Sequence, residues 1–261
     1  MPHSYLKKSG SAWVTGAGKG IGRALTLKLA TRGWTVAVSA RTEQDLLSLA
    51  AAASGLPGAI IPVVLDTVDI VATAAAVLFI QREIGPLDLA ILNAGTHRAI
   101  SAQNFDAAVV KFIIDVNLMG TVNCLSTILP SFIERRSGKI AVVASVAGYR
   151  GLPTAAAYGA TKAALINMCE ALKPELDRLG IGLTLVNPGF VDTPLTRKNK
   201  FPMPFIISAD EAADIILRGL DKGRFEIVFP WRMAVAMKLL RILPYPVAFW
   251  LTRKMLPKTS A

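Results

Sequence analysis

Tyr158 and Lys162 stand four residues apart in AYGATKAAL, a spacing that puts both side chains on one face of a helix. A phenol with a pKa near 10 is a poor acid or base at neutral pH. Lowering it by about three units requires roughly 4 kcal/mol. One ammonium at about 4 Å supplies roughly that much at an effective dielectric near 20. Such a pair is a candidate proton exchanger for a ketone or an alcohol, although the spacing also occurs on ordinary solvated helix faces. Ser145 closes the apolar run KIAVVAS just before the tyrosine helix, where its hydroxyl could hold a substrate oxygen as charge develops on it. Asn117, in DVNLMG, lies within an apolar helical run. A buried amide must find partners, so it reads either as part of the same site or as a helix kink or structural water site.

Apolar runs alternating with helical patterns must position these groups. SAWVTG, WTVAVSA, AIIPVVLD, LDLAILNAG, KIAVVAS, IGLTLVNPG and RFEIVF read as seven strands. Helices are expected over 21–32, from Thr42 as N-cap through 53, and over 71–84, 107–136, 155–179 and 210–220. Near-continuous apolar strands separated by helices predict an α/β, doubly wound Rossmann fold, a parallel sheet with helices on both faces. Pro62 would favour an edge or bulge position, and Pro174 would kink its helix. No linker composition divides the chain, so residues 1–230 are expected to form one domain, followed by an extension over 231–261.

The first strand runs into TGAGKGIG, with glycines at 16, 18, 20 and 22. Glycine allows a tight turn and close approach of a pyrophosphate, and the following helix offers free N–H groups and a positive dipole end. The second strand ends at Arg41 with no acid until Glu43, and Lys19 lies in the glycine turn. Two cations converging there call for an anion, and the 2′-phosphate of NADP supplies one. Two unrelated surface cations are the alternative.

Jointly, Gly16-x-x-x-Gly20-x-Gly22, NAG at 93–95, Asn117, Ser145, Tyr158-x-x-x-Lys162 and NPG at 187–189 resemble the short-chain dehydrogenase/reductase family over about 11–193. The resemblance implies hydride transfer between NADP(H) and a small-molecule carbonyl or alcohol. Tyr158 would be the acid/base, Lys162 would lower its pKa and bind the nicotinamide ribose, Ser145 would orient the substrate oxygen, and Asn117 would hold a relay water. Gly16, Lys19, Gly20, Ile21, Gly22, Arg41, Asp66, Asn93, Gly95, Pro188, Gly189 and Thr193 would bind the cofactor, with Asp66 at the adenine and Thr193 at the carboxamide. Family members form homodimers or homotetramers, often through the helix that carries Pro174 here. The segment 194–207 corresponds to the substrate loop. Its Phe201, Met203, Phe205 and Ile206 suggest an apolar or lipid-like ligand, and Arg197, Lys198 and Lys200 an anionic handle.

The 261 residues carry a formal charge of +11, and no Asp or Glu follows Glu226. Arg232, Lys238, Arg241, Arg253, Lys254 and Lys258 are interleaved there with Trp231, Tyr245, Phe249 and Trp250. That mixture suits a peripheral membrane contact, and equally a segment packed over the cleft or across a dimer. A non-catalytic, membrane-docked NADP-binding sensor is the alternative to an enzyme, and the complete Ser/Tyr/Lys set weighs against it. No recognition motif accompanies the charge, so no nucleic acid partner is expected. His3 and His97 fall in no metal-ligand pattern, and no metal is expected. Cys124 and Cys169 in apolar stretches fit a reducing compartment. With no apparent signal peptide and no uncharged apolar window of about 20 residues, the expected location is cytoplasmic, peripheral to a membrane's inner face if the tail binds lipid.

Overall fold

The computed structural model describes residues 6–199 and 202–256, so His3, Lys200, Phe201 and Lys258 lie outside the described residues. The chain begins β1 (Ser11–Thr15), α1 (Gly20–Thr31), β2 (Thr35–Ala40), α2 (Glu43–Ala52), β3 (Ala59–Val64), α3 (Ile70–Ile84) and β4 (Leu89–Leu92). It continues α4 (Ala107–Ile114), α5 (Gly120–Arg135), β5 (Lys139–Val143), α6 (Ala156–Arg178) and β6 (Gly182–Pro188). The short β7 (Val191–Asp192) and β8 (Ile207–Ser208) then pair in parallel. Last come α7 (Ala209–Asp221), β9 (Glu226–Phe229), α8 (Trp231–Ile242) and α9 (Tyr245–Arg253).

Seven strands form one sheet in the order β3-β2-β1-β4-β5-β6-β9, every neighbouring pair parallel. Pro62 sits in β3, the edge strand, where a missing backbone donor disrupts no second ladder. Both faces are covered, and the strand pleat divides the apolar residues between them. Ala90 and Leu92 join Cys124, Ile128 and Phe132 of α5 and Leu165 and Cys169 of α6 in one core cluster. Leu89 and Ile91 join Leu25 and Leu29 of α1 and Ile216 and Leu217 of α7 in the other. Both cysteines are free and buried, and burial pushes each thiol up to about 12.

The helix expected over 107–136 departs from regularity in the middle. Residues Asp115–Met119 form a π-helical turn between α4 and α5, and Asn117 is at its centre. The run 107–135 is long and apolar enough by composition alone to cross a membrane, a test that buried core helices also pass. Lys111 and Asp115 interrupt its apolar sequence without lowering its mean hydropathy enough to exclude it, and in the fold its α5 part packs against the sheet. Pro174 lies inside α6 without ending it. The proline is on the exposed side, where the carbonyl it frees can be hydrated.

Strand order reverses between β1 and β4, and the chain ends there are fastened together. The Thr15 hydroxyl accepts from the backbone N–H of Asn93 (3.0 Å) and of Ala94 (3.1 Å). The Asn93 amide donates to the carbonyls of Thr15 and Gly16, each at 3.1 Å. Thr15 is fully buried, so removing its oxygen leaves two backbone donors without this acceptor. Thr15→Val is expected to lower unfolding stability by about 2 kcal/mol in urea titrations, with Thr15→Ser recovering most of it.

Candidate active site

The glycine turn joins the carboxyl end of β1 to the start of α1. Gly16 and Gly20 have φ of +64° and +55°, values that side chains with a Cβ rarely adopt. A Cβ at Gly22 would lie 2.4 Å from the Gly16 carbonyl oxygen, so that contact requires glycine. The first turn of α1 has no side-chain cap and no acidic residue, which leaves its N–H groups and dipole for an anion. This cradle fits a pyrophosphate. Ile21, half-buried, anchors the turn by packing on the α1–α7 core cluster.

The other expected cofactor residues gather at the same sheet edge. A Cβ at Gly95 would sit 3.4 Å from Asn117 Oδ1 and 3.6 Å from Lys162 Nζ. Thr193 lies against Gly20, its methyl 2.9 Å from where a Cβ would be, and its backbone N–H donates to the Thr196 hydroxyl at 3.0 Å. Pro188 ends β6 and offers its carbonyl to Ser145. The Gly189 N–H donates to the Phe229 carbonyl at 2.7 Å. Asp66 is exposed beyond β3 and accepts from the Val68 N–H at 3.1 Å.

Lys19 does not stand as an unpaired cation. Its ammonium is 3.0 Å from a carboxylate oxygen of Asp45 in α2, which the spacing of charges along the chain did not foretell. Gly18 makes the approach possible, since a Cβ there would fall 2.9 Å from Asp45 Cβ. Arg41 is exposed and makes no ion pair among the described residues. Arg197, expected to be open to an anionic handle, instead forks onto Asp192 at 2.7 and 3.1 Å and holds that carboxyl below its usual range.

Ser145, Tyr158 and Lys162 converge. Ser145 follows β5, accepts from the Ala147 N–H and donates to the Pro188 carbonyl, both at 3.2 Å. Tyr158 and Lys162 lie in α6, with the ammonium 5.7 Å from the centre of the tyrosine ring. Lys162 is 4% exposed and donates to the Val143 carbonyl at 2.9 Å. Burial lowers its pKa to about 8. Burial pushes the Tyr158 phenol up, and a hydrogen bond with Ser145 pulls it the other way. The expected lowering by Lys162 is not seen: burial raises the phenol, Ser145 alone opposes that, and the ammonium spends a donor on a carbonyl.

Asn117 is buried in the π-helical turn and well supplied with partners. Its Oδ1 accepts from the Thr96 N–H at 2.7 Å, and its amide donates to the Thr96 carbonyl at 3.0 Å and the Thr161 hydroxyl at 3.1 Å. Both amide hydrogens are thus committed to protein, so the side chain ties the loop after β4 to α6. Sequence reasoning passed over His97. Its ring meets Tyr158 edge-on, centroids 4.9 Å apart, and its Nδ1 is buried without a partner. Burial lowers its pKa, which favours the neutral imidazole. Its place two residues beyond the NAG stretch was the available signal. Among the described residues no cluster of His, Cys, Asp or Glu could hold a metal ion.

A second polar group braces the site from behind. Asn187, buried in β6, donates to the Tyr149 hydroxyl at 3.1 Å and to Glu226 at 3.0 Å. Tyr149 also donates to Glu226, and Lys238 of α8 pairs with the same carboxylate. Burial acts to raise the Glu226 pKa, but hydrogen bonds from Lys238, Tyr149 and Asn187 hold it below the usual carboxylate value.

Known proteins share this architecture. The family model for short chain dehydrogenases matches residues 11–202. An uncharacterized oxidoreductase of Myxococcus xanthus (strain DK1622) is 38% identical over 237 residues, covering 91% of this chain and 94% of its own. The 3-oxoacyl-acyl-carrier-protein reductase FabG of Thermotoga maritima is 33% identical over 219 residues, covering 78% of this chain and 87% of its own. A short-chain type dehydrogenase/reductase from Mycobacterium marinum superposes with a TM-score of 0.77 over 84% of this chain and 93% of its own; at 24% identity it speaks for the fold. The chain belongs to the short-chain dehydrogenase/reductase family, oxidoreductases that use a nicotinamide dinucleotide.

Proposed function

We propose that the protein is an NADP(H)-dependent reductase of ketones or aldehydes that also oxidises the corresponding alcohols. The observation that carries this reading is the convergence of Ser145, Tyr158 and Lys162 beside the glycine cradle at one sheet edge. When bound, the nicotinamide supplies or accepts the hydride.

The protein's own groups handle the proton. In reduction, the Tyr158 O–H gives its proton to the carbonyl oxygen, and in oxidation the phenolate takes it back. The Ser145 hydroxyl has a single hydrogen. It rests on the Pro188 carbonyl and can turn to the substrate oxygen or the phenolate as charge appears. Lys162, anchored on Val143, offers its remaining N–H groups to the cofactor ribose and its charge to the phenolate. His97 packs edge-on against the Tyr158 ring and keeps a buried Nδ1 without a partner.

Gly16, Gly20, Ile21 and Gly22 would hold the pyrophosphate, Asp66 the adenine, and Asn93, Gly95, Pro188, Gly189 and Thr193 the nicotinamide half. Arg41 would grip the 2′-phosphate, with Lys19 exchanging Asp45 for it. We assign the chemistry to residues 1–230 and read 231–261 as an extension. Assembly as a homodimer or homotetramer and a cytoplasmic site of action follow the family. Met203, Phe205 and Ile206 in the substrate loop support an apolar carbonyl, and a relative named as a 3-oxoacyl reductase points to the same class.

With NADPH and a panel of ketones, Tyr158→Phe is expected to reduce kcat by at least about a thousandfold while NADPH still binds by fluorescence. Unchanged turnover, or turnover absent in the wild type across the panel, would refute the catalytic reading. The double variant Lys19→Ala, Arg41→Ala should raise KM for NADPH by about tenfold or more and leave KM for NADH nearly unchanged; equal effects would remove the NADP assignment. Lys162 has a folded pKa of about 8 against an ordinary 10.5. The unfolded chain therefore binds more protons between these values, and the lysine's contribution to stability rises with pH across that window. Relative to Lys162→Met, the wild type should gain about 3 kcal/mol from below pH 8 to above pH 10.5 in denaturant titrations.

A further inference from the structure

The last two helices carry apolar side chains on their outer faces as well as on the side that packs on the core. On α8 the exposed residues Trp231, Val235, Leu239 and Ile242 follow one another at spacings of four, four and three, one continuous stripe. Trp231 is 70% and Ile242 76% exposed, whereas the buried residues of that helix are Ala234 and Met237. On α9, Tyr245, Val247, Phe249 and Trp250 face solvent while Ala248 and Thr252 are buried. Met255 and Leu256 extend the exposed surface, and Phe205 and Ile206 of the substrate loop are exposed as well, with Arg232 5.6 Å from the Phe205 ring centre.

Cations rim this surface. Arg232 and Lys238 fall on opposite flanks of the α8 stripe by helical spacing. The Lys254 ammonium sits 3.5 Å from the centre of a Trp250 ring, Arg150 is 4.5 Å from Tyr245, and Arg232 5.5 Å from Trp231. No acid occurs after Glu226, and Glu226 is itself engaged by Lys238. We propose that α8 and α9 form a docking face for an anionic lipid surface, with the aromatic stripe entering the headgroup layer and the cations meeting phosphates.

The charges decide between a bilayer and a second copy of the chain. A two-fold contact through this face would set the same cations against themselves, since residues 227–261 hold no carboxylate side chain to pair with them. A bilayer with anionic headgroups offers the opposite charge together with apolar depth for Trp231, Leu239 and Trp250. Arg232, beside the Phe205 ring, brings residues 202–207 next to the first turn of α8.

The test is co-sedimentation of the full chain with phosphatidylcholine vesicles, with and without phosphatidylglycerol. The wild type should pellet with the anionic vesicles and far less with phosphatidylcholine alone. The triple variant Trp231→Gln, Leu239→Gln, Trp250→Gln should lose about tenfold or more of the partition at an unchanged melting temperature. A second variant, Arg253→Gln with Lys254→Gln, touches no buried group and should lose the preference for the anionic lipid. Wild type that stays in the supernatant, or both variants that partition as wild type does, would overturn the proposal. So would a wild-type dimer that ignores vesicles and becomes monomeric in the triple variant, because the face would then belong to a second copy.

Discussion

Four hydrogen bonds around Thr15 and Asn93 tie the end of β1 to the end of β4. Parallel strands that part company at this point leave a crevice whose floor is backbone, and the backbone there has to be held in place before anything can bind to it. The hydroxyl of one strand end and the amide of the other do so without occupying the crevice. The positive φ values of Gly16 and Gly20, the close approach at Gly22 and the open first turn of α1 lie directly beyond that junction.

Across the crevice the governing quantity is desolvation. Tyr158 and Lys162 stand on adjacent turns of α6, yet burial disfavours the charged form of each. A phenol raised in this way keeps its proton and is a weak acid, and a lysine near 8 retains most of its charge at neutral pH.

Much of this was legible in the chain. Strand-forming runs and glycine punctuation located all seven strands of the sheet, and of the edge or bulge that Pro62 suggested, the edge is the one found. Tyr158, Lys162 and Ser145 were readable because helical spacing and strand ends are local properties. What escaped depended on contacts distant in sequence or on backbone irregularity. Asp45 reaches Lys19 from another helix, Arg197 turns back on Asp192, and the π-helical turn at Asn117 has no sequence period of its own. His97 was discounted as a metal ligand, and its position against Tyr158 emerges only when the loop after β4 folds over α6.

The carboxylate of Glu226 joins parts of the chain that would otherwise be separable. It receives Tyr149 from the loop after β5, Asn187 from β6 and Lys238 from α8. The C-terminal helices are consequently not a detachable appendage. A shortened chain ending at the last strand would leave a partly buried anion facing a tyrosine and an amide with its countercharge gone. Any comparison of long and short forms of this protein would report that loss alongside whatever else the helices do.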